Sequence, residues 1–91
     1  MAMTAVWLKI DEQRVVQALQ EVRNKLGTVE GELVLDFSCA RRLDPSSLRV
    51  MEELVSTAEG EGIKVVLCGV SAGVYKVLKL VKLASRFSFV G

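Results

Sequence analysis

Short apolar runs alternate with longer segments of helical periodicity along this chain, and that alternation limits its fold more than any other feature. The apolar runs predict β-strands at Ala5–Ile10, Glu32–Phe37, Ile63–Cys68 and Phe87–Val90. The order β-α-β-α-β-α-β predicts an α/β fold with right-handed crossovers. We expect about four strands in a mostly parallel or mixed sheet, packed with about three main helices.

The predicted helices have recognisable starts and ends. The first begins at Asp11 or Glu12, where acidic residues suit the positive end of a helix, and stops at Gly27. The second begins with Asp44 as N-cap and Pro45 as the first helical residue. It ends at Gly60 or Gly62, and Ser71 is the expected N-cap of the third helix.

Each predicted helix carries an apolar stripe that should face the core. We also expect Trp7 to anchor the first strand in that core. The three stripes are Val15, Leu19, Val22 and Leu26; Leu48, Met51, Leu54, Val55 and Ala58; and Val74, Val77, Leu78 and Val81.

Length and composition predict one packed domain over residues 1–91. Hydrophobic residues make up 51% of the chain and charged residues 25%, which supports a core, and the net charge of +1 argues against a dedicated nucleic-acid or membrane-surface protein. No apolar stretch reaches the roughly 20 residues of a membrane span, and no signal peptide is evident. We therefore expect a cytoplasmic protein without membrane insertion, in which Cys39 and Cys68 are free thiols.

The chain contains no histidine, which removes the commonest general base and the commonest metal ligand. A paired-carboxylate site of Asp36 and Asp44 would lack a nucleophile, a metal ligand and an evident cleft. Cys39 has no neighbouring histidine or cysteine to activate it. Gly69–Gly73 lacks the Gly-Lys-Ser/Thr ending of a phosphate-binding loop. We expect no enzyme activity, no metal and no cofactor.

A strand with a terminal aspartate, a short loop and a helix-opening Asp-Pro-Ser-Ser-Leu lie in sequence here. They are Leu33–Ser38 followed by Leu43–Leu48, with Asp44 eight residues after Asp36. A later strand leads into Gly69-Val70-Ser71 and a helix that contains Leu78. This arrangement resembles the STAS domain family (anti-sigma factor antagonists) over about residues 31–90. The amino-terminal third is less similar, because the hairpin and Gly-x-Leu-Asp turn typical of the family are missing.

The resemblance implies a regulatory surface at the start of the second helix. In phosphoregulated members a serine or threonine follows the motif aspartate, but Pro45 occupies that position here. The usual phosphoserine switch is therefore in doubt, and Ser46 is the remaining candidate for phosphorylation. The residues implied in partner binding are Asp36, Asp44, Pro45, Ser46, Ser47, Leu48, Arg49 and Glu52.

Ordinary structural roles compete with these functional ones. Asp44–Ser47 is also a common helix cap, and Asp36 is also a common turn former. Arg41 and Arg42 could hold a phosphate or an acidic partner, or lie in a solvated loop. Lys76, Lys79, Lys82 and Arg86 could form a basic face for an acidic partner or lipid headgroups, or simply the solvated side of a helix.

The resemblance favours a non-enzymatic, protein-interaction module acting in bacterial signal transduction and transcription regulation. Its partner would be an anti-sigma factor or a serine-kinase-like protein, and a homodimer is compatible with the sequence. One alternative is a structural subunit that binds the ATPase of an ABC-type lipid-transport complex. Another is a small nucleotide-binding protein.

Overall fold

A computed structural model describes residues 5–10, 14–26 and 31–90, with side chains from Trp7 onward. The order of its elements confirms the predicted β-α-β-α-β-α-β pattern. The predicted helix start at Asp11 or Glu12 and the stop at Gly27 lie outside the described residues. The elements are β1 (Ala5–Lys9), α1 (Val15–Lys25), β2 (Glu32–Asp36), α2 (Pro45–Gly60), β3 (Lys64–Cys68), α3 (Ala72–Leu80), a 3₁₀ helix (Ala84–Arg86) and β4 (Ser88–Val90).

The strands form one parallel sheet in the order β1-β2-β3-β4. Because crossovers between neighbouring parallel strands are right-handed, successive crossovers in one direction place their helices on the same face of the sheet. Leu35 of β2 and Leu67 of β3 are paired in register, and both belong to the buried cluster that holds Leu19, Leu54 and Leu78 of the three helices. The main core therefore lies between this face and the helices.

The opposite face of the sheet carries the side chains that alternate along each strand with those of the core. Val34 and Val66 are paired there and are buried, although neither belongs to the main core cluster. Trp7 pairs with Val34 and shares its face. The prediction that Trp7 anchors β1 in the core is wrong: its side chain is 63% exposed. β1 is the edge strand of the sheet, so Trp7 has a strand neighbour on one side only and points away from the helices.

Trp7 is the only tryptophan in the chain, so its fluorescence reports on this face directly. We expect a red-shifted emission spectrum, typical of a hydrated indole, and efficient quenching by acrylamide in the folded protein. Urea denaturation should therefore shift the emission maximum little. A blue-shifted spectrum that moves to the red on unfolding would contradict the exposed position of Trp7.

The helix stripes are buried largely as predicted. All four predicted positions of α1 are buried, as are Met51, Leu54, Val55 and Ala58 of α2, while Leu48 is half-buried. In α3, Val74 and Leu78 are buried and Val77 is half-buried. The prediction for Val81 is wrong, because α3 ends at Leu80 and Val81 is its C-cap, 46% exposed. Once the helix stops, the helical spacing that would have turned Val81 inward no longer applies.

Gly69 marks a close approach between two loops at one end of the sheet. Its φ is +66°, and a Cβ built there would lie 2.9 Å from Ser38 Cβ and 3.0 Å from Ser38 N. The loop after β3 therefore lies directly against the loop after β2. Only glycine satisfies both the left-handed backbone and the contact with Ser38.

Replacing Gly69 by alanine should reduce the free energy of unfolding by about 2–4 kcal/mol, because it combines a left-handed alanine with a clash against backbone. Gly62→Ala is the matched control, because Gly62 has a φ of +71° but nothing within 4 Å of an added Cβ. The control should lose only about 1 kcal/mol. Urea denaturation measures both, and equal losses would show that the contact with Ser38 has no energetic consequence.

Candidate functional site

The candidate site lies at the edge where the parallel strands end. Asp36 closes β2 between Lys9 of β1 and Cys68 of β3. Phe37, the next residue, is still hydrogen-bonded to β3, because its N–H donates to the Cys68 carbonyl at 2.8 Å. The following loop then leads into α2. In open parallel sheets this edge is the usual place for functional loops.

Asp44 caps α2 as predicted, and Pro45 is the first helical residue. The Ser47 N–H donates to Asp44 Oδ1 at 2.8 Å, and the Leu48 N–H donates to the Asp44 carbonyl at 3.1 Å. The bonds from the Ser47 N–H and hydroxyl hold the pKa of Asp44 below its usual range. Pro45 has no N–H to leave unsatisfied in this first turn.

The two serines of the motif have different environments. Ser47 is 2% exposed, and its N–H donates to the Asp44 carboxylate. Ser46 is exposed on the first turn of α2. Ser47 is thus part of the helix cap, whereas Ser46 is accessible to a partner or a modifying enzyme.

Asp36 shapes the loop that leads away from β2. Its Oδ1 accepts the Ser38 N–H at 2.9 Å, which is an Asx-type turn. The bonds from the Ser38 N–H and hydroxyl, aided by the charge of Lys9, lower the pKa of Asp36. The turn-forming role considered from the sequence is therefore present, and the carboxylate stays ionised at neutral pH.

Both cysteines are free thiols, as expected. Cys39 is exposed in the loop, and Cys68 is half-buried at the end of β3. Burial, together with the negative charge of Asp36, raises the pKa of the Cys68 thiol. Cys68 therefore remains protonated at neutral pH, which is the opposite of an activated thiolate.

Two surface depressions flank the start of α2, and together they are lined by six of the eight residues predicted to bind a partner. The other two, Ser46 and Asp36, line neither depression. A groove of about 240 Å³ is lined by Pro45, Leu48, Arg49 and Glu52 together with Val81 and Leu83. A wider depression of about 580 Å³ is lined by Asp44 and Ser47 together with Arg14, Val15, Val16, Gln17 and Arg42.

The basic residues near the end of the chain do not form one continuous face. Arg86 donates to Glu59 Oε1 at 2.6 Å and to Ser56 Oγ at 3.0 Å, which ties the 3₁₀ helix to α2. The bond from Arg86 lowers the pKa of Glu59. Lys76, Lys79 and Lys82 are exposed. The basic surface predicted from the sequence therefore contains the three lysines without Arg86.

Comparison with known proteins matches the sequence to the STAS domain family over residues 7–90. The chain belongs to the STAS domain family. The match takes in β1 and α1 as well as the motif region around Asp44. Comparison with curated proteins found no significant match.

Two solved structures share the fold of this STAS domain. A sulfate transporter family protein from Wolinella succinogenes has a TM-score of 0.77 at 18% identity, covering 93% of this chain and 75% of the other. A protein from Thermotoga maritima assigned as an anti-sigma factor antagonist has a TM-score of 0.75 at 18% identity, covering 93% of this chain and 77% of the other. At this level of identity the similarity concerns the fold alone.

Two further observations on this STAS domain concern membrane-spanning helices and groups of metal ligands. None of the helices described here is long and apolar enough to cross a membrane. Within the described ranges, no three acidic, cysteine or histidine side chains are grouped as metal ligands.

Replacing Asp44 by asparagine should change how stability depends on pH. Asparagine caps helices about as well as aspartate, so the two proteins should unfold at similar urea concentrations at pH 7. The folded-state pKa of Asp44 is depressed, so its charge stabilises the fold above the unfolded-state pKa of about 3.9 and ceases to do so as pH falls through the lower folded-state value. The wild type should therefore lose more stability than Asp44→Asn between pH 5 and pH 2 (about the range of that titration).

Urea midpoints across this pH range provide the measurement. Asp44→Ala is the companion variant, since it lacks the cap at every pH and should be less stable than both proteins at pH 7. Parallel pH profiles for wild type and Asp44→Asn would show that the charge of Asp44 does not contribute to the cap.

Proposed function

We propose that this STAS domain is a non-enzymatic docking module that binds a protein partner through the loop before Asp44 and the first turns of α2. The observation that supports this most is the arrangement of the first helical turn. Pro45 and Ser46 are exposed, while the bond from the Ser47 N–H to the Asp44 carboxylate orders the turn. A surface whose backbone is already ordered loses little conformational entropy on binding.

The charges around this turn favour a partner with acidic groups. Arg41 and Arg42 in the loop and Arg49 on α2 are all exposed. The opposing carboxylates are those of Asp44, which is engaged in the cap, and Glu52. Exposed charges of this kind mainly increase association rates and select partners, and they add less to affinity.

Pro45 argues against regulation by the family's usual switch. The hydroxyl that the resemblance places directly after the motif aspartate is missing, so docking here is proposed to be constitutive. A phosphate on Ser46 would meet the repulsion of Asp44 and the attraction of the helix N-terminus. Ser46 is therefore the residue to examine for modification.

The alternative of a transporter-associated subunit shares the same docking surface. Pro45 is compatible with it, since a structural subunit needs no phosphorylation. The similarity in fold to a sulfate transporter family protein does not distinguish a transport role from a role with an anti-sigma factor, because both solved neighbours have about the same similarity. The identity of the bound partner distinguishes them.

The test is affinity purification of the tagged protein from its own cells, with quantitative mass spectrometry of partners and of the Asp44–Leu48 peptide. Ser46→Arg should reduce recovery of the specific partner about tenfold, because it places a long side chain on the contact surface. Thr57→Arg, which alters an exposed residue near the carboxyl-terminal end of the same helix, is the matched control and should retain the partner.

A kinase or anti-sigma factor in the wild-type sample would support the regulatory role, and a transporter ATPase would support the alternative. Phosphate on Ser46 in a substantial fraction of molecules would overturn constitutive docking. Equal recovery with Ser46→Arg and Thr57→Arg would overturn docking at the start of α2.

A further inference from the structure

Two depressions meet at a pair of aromatic side chains between α3 and β4. Tyr75 and Phe89 contact each other edge to face, with their ring centroids 5.1 Å apart, and both residues line both depressions. One depression is about 460 Å³ and reaches Lys79 and Lys82, and the other is about 420 Å³ and reaches Ser71, the N-cap of α3. We call the two together the α3–β4 trough.

The α3–β4 trough opens at an edge of the sheet. β4 is the last strand in the order β1-β2-β3-β4, so its outer edge has no neighbour among the described strands. Phe89 and Val90 point to opposite faces of the sheet, because side chains alternate along a strand, yet both line the trough. The trough therefore reaches the outer edge of β4, where the backbone groups of alternate residues point outward without a described strand partner.

The length of the trough suits an extended peptide chain. It follows α3 from one cap to the other, Ser71 to Val81, which is about 15 Å at a rise of 1.5 Å per residue. A strand rises about 3.3 Å per residue, so a segment of about four or five extended residues has the same length. An elongated trough beside an open strand edge fits such a segment better than it fits a compact ligand.

The charged residues of the trough are both lysines. Lys79 and Lys82 are exposed, and neither has an ion pair with any residue that the structure describes. Arg86, the next basic residue along the chain, is instead paired with Glu59 of α2. No acidic side chain is among the described residues that line the trough. Charge complementarity therefore favours an occupant that carries carboxylates.

We propose that the α3–β4 trough binds an extended, acidic segment of a partner protein by strand addition. The segment pairs with the outer edge of β4 and continues the sheet as an additional strand. Its side chains on the α3 side contact Tyr75 and Phe89, and carboxylates among them pair with Lys79 and Lys82. The trough shares no lining residue with the two depressions at the start of α2, so it is a surface separate from the docking site proposed there.

A peptide titration of the whole ¹⁵N-labelled chain tests this proposal. The probe is a short synthetic peptide in which threonine alternates with glutamate and valine. One control carries lysine in place of every glutamate, and the other carries proline at two adjacent central positions, which removes a donor from each edge of the peptide strand. The acidic peptide should shift the amide resonances of β4 and of the last turn of α3, and it should slow hydrogen exchange at an outward-facing amide of β4. Both controls should bind at least about fivefold more weakly, and added salt should weaken the acidic peptide.

Variants of the two lysines separate binding from stability. Lys82 has a φ of +64°, a conformation that glycine adopts readily, so Lys82→Gly should keep or raise the melting temperature. The same variant should weaken binding of the acidic peptide about threefold, and Lys79→Glu should weaken it about fivefold. Lys64→Glu is the matched control, because Lys64 is exposed on the opposite face of the sheet, and it should bind as the wild type does.

Several results would overturn the inference. They are binding of either control peptide as tight as that of the acidic peptide, no shifts at millimolar peptide, shifts confined to other surfaces, and unchanged affinity in Lys79→Glu. Shifts of β4 caused by vesicles of phosphatidylcholine and phosphatidylserine but by no peptide would overturn it in favour of a lipid surface. Concentration-dependent shifts of β4 without peptide would overturn it in favour of a second copy of the chain.

Failure of this inference can be distinguished from failure of docking at α2. Ser46 lines neither part of the trough, so Ser46→Arg should bind the acidic peptide as the wild type does. If Ser46→Arg loses the peptide, the trough is not a separate surface and the inference is wrong. If Ser46→Arg binds the peptide and also retains the cellular partner, docking at α2 is wrong and strand addition at β4 stands.

Discussion

The structure depends on one constraint, the parallel pairing of successive strands by crossovers of a single hand. Because each crossover repeats the same turn, the helices collect on one face of the sheet and share one core. The same repetition brings the ends of β1, β2 and β3 to one edge. The loops that follow β2 and β3 then meet, and the glycine at position 69 permits their contact with Ser38. The loop that leads from β2 to the start of α2 is therefore packed against the loop after β3.

The sequence predicts local features of this chain better than features that depend on neighbours. Asp44, Pro45 and Ser71 are placed correctly because a cap is decided by residues three positions apart. Trp7 is misplaced because its burial depends on β1 being an edge strand and on which face lacks helices. An apolar side chain in a strand predicts burial on average, but strand order decides the outcome. Strand order is a property of the whole sheet and has no local signature.

The same distinction applies to the site. Residues on the first turns of α2 are found from a contiguous motif, whereas Val81 and Leu83 reach the groove only through the distance between α2 and α3. The apolar spacing of α3 continues to Val81 and predicts a buried side chain there. The helix ends one residue earlier, so the periodic argument fails at that residue. Arg86 is a further example. Its spacing from the lysines predicts a shared basic face, but its side chain bonds to Glu59 on α2, a contact that the spacing does not indicate.

The ends of α2 and α3 show how stability and surface chemistry compete within one motif. The Leu83 N–H donates to the Leu78 carbonyl at the end of α3, and the Ile63 N–H donates to the Ala58 carbonyl at the end of α2. The left-handed residue before each donor is Lys82, with a φ of +64°, in α3 and Gly62, with a φ of +71°, in α2. Glycine there relieves strain but presents no side chain, whereas Lys82 accepts strain and places a charge in a depression that it lines with Lys79 and Phe89. The same backbone therefore closes both helices with either residue, so the choice between glycine and lysine decides which side chain the helix end presents to solvent rather than how the helix ends.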